Sequence, residues 1–149
     1  MFKRISVTLM LLLLVSSVLI GCSATPAPVT FSQLPVFTGA NLVSDPAITD
    51  LGDKMTEAMK TAVADKLKAI ESKVYSLPAD AKWDGVSSFF STELAKDNWK
   101  SQSEYARTTD TANVLGWARG NQTVIIYYVI DQSGTLGGNL LVTMLIDLK

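Results

Sequence analysis

The sequence has no histidine and a single cysteine, Cys22, in 149 residues. Without histidine the chain lacks the commonest metal ligand and the usual general base near neutral pH. One cysteine cannot form an internal disulfide, so packing alone must stabilise the fold. The sequence also lacks a Gly-x-Ser-x-Gly motif, and its glycine-rich segment (134–139) has no lysine for a phosphate loop. We therefore predict no catalytic residue, no metal site and no cofactor.

The beginning of the chain has the pattern of a secretory signal peptide. Lys3 and Arg4 precede an apolar run from Ile5 to Ile20, and a small residue, Gly21, follows it. The run is shorter than the ~20 residues that span a bilayer, which favours a cleaved signal over a permanent transmembrane helix.

The segment Leu19-Ile20-Gly21-Cys22 resembles the lipobox of bacterial lipoproteins. In that family the chain is cut before the cysteine, and the cysteine sulfur carries a diacylglycerol. The resemblance implies that Cys22 becomes a lipid-bearing N-terminus. It also implies a location on a bacterial membrane, facing the periplasm or the exterior.

These patterns divide the chain into three parts. Residues 1–21 are predicted to be a cleaved lipoprotein signal peptide. Residues 22–33 are small, polar and proline-bearing, as is typical of a tether, and residues 34–149 are predicted to form one folded domain.

The predicted mature chain is weakly acidic. Removing Lys3 and Arg4 leaves 11 basic against 14 acidic residues, a net charge of −3. Such a domain has no electrostatic reason to bind nucleic acid or anionic lipid. No run of Lys or Arg adjoins Cys22, so the sequence has no polybasic second membrane signal.

Hydrophobic periodicity predicts two helices among β-strands. A first helix is expected over about residues 47–67, because Ser44-Asp45-Pro46 supplies a capping side chain and a proline in the first turn. A strand over 70–77 follows, and then a second helix, capped by Asp80, whose apolar face is formed by Trp83, Val86, Phe89, Phe90 and Leu94.

The last third of the chain is predicted to be β throughout. A polar edge strand covers 101–107, and strands over 114–119 and 122–130 flank a hairpin turn at Gly120-Asn121. A final strand covers 139–148, and it is apolar on both faces, as in a central strand. We therefore predict an α+β domain with two helices on one face of an antiparallel sheet of about four to five strands.

Part of this pattern resembles small, uncharacterised bacterial secreted proteins and lipoproteins. The shared features are Val74-Tyr75-Ser76-Leu77-Pro78, the pair Phe89-Phe90, Leu94 and Trp99. In that group a strand ends in Tyr-x-x-Pro and leads into a helix with Phe-Tyr, a spaced Leu and a terminal Gly-Trp. Here Phe90 replaces the Tyr and Asn98 the Gly. The match covers about residues 70–100 and implies the fold alone.

Four aromatic residues are the best candidates for a ligand or partner surface: Trp117, Tyr128, Tyr127 and Tyr105. Two helices on one face would leave the apolar opposite face of the central strands open. We expect an envelope protein, a tucked N-terminal segment or a second copy in a homodimer to cover it.

Two functions of different classes remain open from the sequence. The first is a lipid-anchored, non-catalytic domain that binds a protein or small ligand in the cell envelope. The alternative is a small envelope enzyme or enzyme accessory that uses Asp/Glu and Tyr. A deep pocket with two convergent carboxylates would favour the enzyme, and a flat apolar patch would favour the binding domain.

Overall fold

The structure is a computed structural model and describes residues 25–149. These residues are organised around a single antiparallel sheet. The predicted signal peptide and Cys22 lie outside these residues. The elements are, in chain order, β1 (Asn41–Leu42), α1 (Pro46–Val63), β2 (Leu67–Ser76), α2 (Trp83–Lys96), β3 (Lys100–Ser101), β4 (Arg107–Thr108), β5 (Ala112–Arg119), β6 (Gln122–Val129) and β7 (Leu140–Leu148). The sheet order is β1-β2-β7-β6-β5-β3, with β4 also paired to β5. The α+β class with an antiparallel sheet is therefore confirmed.

The two helices lie on opposite faces of this sheet, and the prediction that both pack on one face is wrong. Side chains alternate along β6, so that Val124, Ile126 and Tyr128 join the core beneath α2. Tyr127 and Val129 point the other way and pack in the core beneath α1. Because both faces of the central strands are apolar, each face requires a cover, and one helix covers each. We call them the α2 face and the α1 face.

The strand count of four to five is also too low, because the structure has seven strands within residues 25–149. The predicted edge strand over 101–107 is split by a short 3-10 helix, Ser103–Tyr105, into β3 and β4. The two-residue strand β1 is too short to show periodicity in the sequence. The hairpin between β5 and β6 is confirmed, with Gly120 at a φ of 58°.

Helix α2 is held on its face by an apolar stripe. Val86, Phe90 and Leu94 are buried, whereas Trp83 and Phe89 are half-buried beside them. The predicted cap at Asp80 is wrong, since the helix begins at Trp83 and Lys82 takes the capping position without a side-chain bond. The end is as predicted. Asn98 adopts a φ of 63°, and the Trp99 N–H donates to the Leu94 carbonyl at 3.1 Å.

Helix α1 packs closely against β2. Its N-terminus is capped by Asp45, which accepts from the Ala47 N–H at 2.9 Å, as predicted. The helix ends at Val63, earlier than expected, because β2 already begins at Leu67. At Gly52 a Cβ would lie 2.7 Å from Val74 Cγ2, so the missing side chain sets how near the helix can approach the sheet.

Gly52→Ala is expected to destabilise the protein, whereas Gly85→Ala should stabilise it. Val74 is buried and β-branched, so it cannot move away from a new methyl group, and overpacking of this kind costs about 1–3 kcal/mol. Gly85 lies in α2 with nothing within 4 Å of a Cβ, so the change should contribute about 0.5–1 kcal/mol through helix propensity. Chemical denaturation of both variants measures the difference. Equal stability changes would contradict the close packing of α1.

The N-terminal segment packs on the α2 face, so the predicted tether over 22–33 is too long. Phe31 is buried in the core, and its ring lies 4.7 Å from the Lys73 ammonium. The Val29 backbone N–H donates to Gln122 Oε1 at 2.7 Å, and Gln122 Nε2 donates to the Val29 carbonyl at 2.8 Å. Folded structure thus begins before Leu34. The sequence expectation that a tucked N-terminal segment covers a face without a helix is not met, because this segment shares its face with α2.

Candidate functional site

The four predicted aromatic candidates are divided between the two faces of the sheet. Trp117 and Tyr128 lie on the α2 face, where they are 2% and 5% exposed. Tyr127 and Tyr105 lie together on the α1 face and line one groove. Neither Trp117 nor Tyr128 can contact a ligand without repacking of the core, so the accessible part of the predicted surface is the second pair.

Tyr128 has a structural explanation. Its hydroxyl donates to the Ala81 carbonyl at 2.9 Å and accepts from Asn139 Nδ2 at 2.6 Å. Its ring lies 5.8 Å from that of Trp83, so the side chain joins α2 to the loop before β7. Trp117 is packed 6.4 Å from the Phe90 ring in the same core.

Tyr128→Phe is expected to cost about 1–3 kcal/mol, because it leaves the Ala81 carbonyl and the Asn139 amide without their buried partner. Tyr127→Phe is the matched control, since the Tyr127 hydroxyl has no hydrogen bond within residues 25–149 and its loss should change stability by less than about 0.5 kcal/mol. Urea midpoints of the two variants test this. Similar midpoints would show that the Tyr128 hydroxyl does not join α2 to the β7 loop.

The accessible groove lies between α1 and the split edge strand. It has a volume of about 200 Å³ and is lined by Met59, Glu104, Tyr105, Arg107, Val114, Ile125 and Tyr127. We call it the tyrosine groove. Its floor is apolar, two of its walls are aromatic, and its rim carries one acidic and one basic residue. Small-ligand sites have linings of this kind, although the volume here lies below their usual range of about 300–1,000 Å³.

The sequence explains why a groove forms here. Helix α1 contacts mainly β2 and shares its core with Tyr127 and Val129 of β6, so the α1 face of β5, farther along the sheet, is covered less closely. Gly116 on β5 lets the Tyr105 ring lie directly on the sheet, since a Cβ there would be 2.6 Å from Tyr105 Cδ2. Glycine inside a strand is a known sign of such a close approach, and it could have pointed to this site from the sequence alone. The contribution of Met59 had no such sign.

The groove has one half-buried phenol and two charged side chains in its lining. Burial raises the pKa of the Tyr127 hydroxyl above its usual value. The phenol therefore stays protonated at neutral pH and can donate a hydrogen bond, but it cannot act as a base. Glu104 and Arg107 form no salt bridge in the described chain, so both charges are available at the rim.

A second groove, of about 280 Å³, lies on the α2 face beside the N-terminal segment. It brings together two carboxylates, Glu71 and Asp147. Each has a partner: Glu71 lies 3.6 Å from the Lys73 ammonium, and Asp147 accepts from Gln122 Nε2 at 2.6 Å. Two carboxylates thus line one groove, but each is paired with another side chain, so the arrangement meets only part of the sequence expectation for an enzyme, a deep pocket with two convergent carboxylates.

The glycine-rich loop after β6 is organised by Asp131. Its carboxylate accepts from the N–H groups of Leu136 at 3.1 Å and Gly138 at 3.0 Å, and from Ser133 Oγ at 3.2 Å. Desolvation opposes the charged form, but these bonds prevail and lower the pKa of Asp131. The loop is thus stabilised by hydrogen bonds within itself, and the Asp131 carboxylate accepts most of them.

Comparison with known proteins identifies no relative of this chain. No protein-family model, curated protein or solved structure matches the chain. Over residues 25–149 the structure shows no helix long and apolar enough to cross a membrane. In the same range it shows no cluster of three or more side chains suited to hold a metal ion.

Proposed function

We propose that this protein is a lipid-anchored, non-catalytic binding domain of the bacterial cell envelope that binds its ligand in the tyrosine groove. The anchor is inferred from the lipobox at Cys22, which would tie the domain to the membrane. The observation that carries the binding role is the groove between α1 and Tyr105, where apolar and aromatic side chains line an opening on the α1 face.

The lining indicates the kind of ligand. Val114, which is half-buried, offers an apolar contact, and the protonated Tyr127 hydroxyl can donate to an oxygen of the ligand. Glu104 and Arg107 stand at the rim, where they can pair with charges on either side of an apolar side chain. An extended segment of an envelope protein has these three properties, and so does a small amphipathic molecule.

A photo-crosslinking residue in place of Met59 should form a covalent adduct with the ligand in intact cells. The matched control is the same residue in place of Ala58, which lies next to it on α1 and is exposed outside the groove. Tyr127→Ala in the Met59 variant should lower the adduct yield about tenfold or more, because central aromatic truncations commonly cost more than 1.4 kcal/mol of binding. Equal yields from positions 58 and 59, or none from either, would contradict binding in this groove.

The alternative function, a small envelope enzyme or accessory, is favoured by one observation only, the neighbouring carboxylates Glu71 and Asp147 on the α2 face. Glu71→Gln and Asp147→Asn would abolish a phenotype that depends on such chemistry, while the Met59 and Tyr127 changes would leave it intact. The binding proposal expects the reverse pattern in the same complementation assay.

A further inference from the structure

One end of the sheet gathers basic side chains that are far apart in the sequence. The register places the start of β2, the end of β7 and the β5–β6 turn in one row, which we call the hairpin end. Four basic residues lie there with two acidic ones, and the six are Lys66, Lys68, Arg119, Lys149, Asp65 and Asp147. Their side chains sum to +2, although the described chain as a whole carries −3.

The described chain begins at the same end. Thr25 lies against the β5–β6 turn, where a Cβ on Gly120 would be 3.3 Å from Thr25 Cγ2. Arg119 Nη1 donates to the Ala27 carbonyl at 3.0 Å and fixes the segment there. Cys22 is three residues before Thr25, a span of at most about 10 Å. A lipid on Cys22 would therefore hold the hairpin end close to the membrane.

A small pocket with a mixed polar and apolar lining opens at this end. Its volume is about 160 Å³, and Lys68, Arg119, Asn121 and Gln122 contribute to its walls, with Thr25 at its edge. Arg119 Nε is buried and has no hydrogen-bond partner in the described chain. Asp147 also lines the pocket, but one of its oxygens already accepts from Gln122. Gln122 Nε2 already donates to the Val29 carbonyl and to Asp147, so the pocket offers two cations and the Asn121 amide against one partnered carboxylate, which suits a phosphate group.

The opposite end of the domain has the opposite charge. It contains the N-termini of both helices and the loops after β4 and β6. Five acidic residues and one basic residue lie there: Asp45, Asp80, Asp84, Asp110, Asp131 and Lys82. An anionic membrane surface would repel this end and attract the other.

We propose that the hairpin end is a docking surface for anionic lipid headgroups, with a lipid phosphate in the pocket between Lys68 and Arg119. This inference rests on the lipid anchor of the proposed function and adds the lipid class and the orientation of the domain. The domain stands on the membrane by its hairpin end, and the acidic end faces away. The tyrosine groove, at the side of the sheet, stays open to a partner.

Hydrogen exchange of the full-length lipidated protein in lipid nanodiscs tests this surface. Amides of residues 66–68 and 119–122 should exchange about fivefold more slowly in discs with phosphatidylglycerol than in discs of phosphatidylcholine alone, the equivalent of one cation–lipid contact. Lys68→Gln should remove that difference. Lys82→Gln, which changes the charge equally at the acidic end, should preserve it. Lys68 and Lys82 are both exposed, so neither change endangers the fold.

The outcomes separate this surface from the anchor. If the wild type enters both kinds of disc but shows no dependence on phosphatidylglycerol, the docking surface is wrong and the anchor stands. If the protein enters neither kind of disc, the lipid anchor itself is wrong, and this inference with it. If soluble glycerol phosphate slows exchange as much in phosphatidylcholine discs, the pocket binds phosphate rather than a membrane headgroup.

Discussion

Phe90→Ala is expected to lower the free energy of unfolding by about 3–5 kcal/mol, the usual cost of truncating a buried phenylalanine. Phe90 is 1% exposed and contacts both the Phe89 ring, at 5.2 Å, and the Trp117 ring, at 6.4 Å. It therefore joins α2 to the sheet. Small domains have about 5–15 kcal/mol in all, so the variant should be partly unfolded at physiological temperature.

Two further variants on the same helix make this result specific. Ser88→Ala changes an exposed position of α2 and should alter stability by no more than about 0.5 kcal/mol. Phe89→Ala should cost less than Phe90→Ala, because Phe89 is only half-buried between Phe37 and Phe90. Sequence periodicity alone could not rank these two neighbours. A larger loss for Phe89 than for Phe90, measured by denaturant titration, would contradict the packing of α2.

Cys22→Ser is expected to release the protein from the membrane completely and to leave its signal peptide uncleaved. The serine hydroxyl cannot replace the cysteine sulfur as the lipid acceptor, and lipoprotein processing depends on that modification in the family that this segment resembles. Metabolic labelling with a radioactive or clickable fatty acid should tag the wild type and not the variant.

The fold of the variant domain provides the control. The described domain needs no lipid to bury its core, so Cys22→Ser should keep the wild-type unfolding midpoint once solubilised. Equal labelling of both proteins would show that Cys22 is not the lipid-bearing residue.

Local structure could be predicted well where one physical preference dominates. Gly120-Asn121 marked a hairpin, Asn98 marked the left-handed end of α2, and the doubly apolar run of β6 marked a central strand; the structure confirms all three. Each of these depends on adjacent residues alone. The break in the edge strand was not visible, because the polar stretch at Ser103–Tyr105 fits an exposed strand and a short 3-10 helix equally well.

The faces on which the two helices pack could not be predicted from short stretches of the sequence. Tyr127 and Tyr128 are both aromatic, so the pattern of β6 shows that each face is apolar but not which helix covers it. The same limit applies to the site. Met59 and Tyr105 line the same groove on the α1 face, and only the strand order brings them together.

The clustering of basic residues at the hairpin end was likewise not visible in the sequence. No cluster of basic residues adjoins Cys22 in the sequence, and the predicted absence of a polybasic signal holds for the linear chain. Lys68 and Arg119 come together only because the start of β2 and the end of β5 both lie at the hairpin end of the sheet. A linear reading of charge therefore misses a surface whose members lie on different strands.

The intact mass of the protein, purified from the membrane fraction of the cells that make it, tests the central proposal most directly. A lipid-anchored domain should give a chain that begins at Cys22 and carries the added mass of a diacylglycerol and any further acyl group. After tryptic digestion, that added mass should lie on the N-terminal peptide. A chain that retains residues 1–21, or one that begins at another residue without lipid, would contradict the proposal.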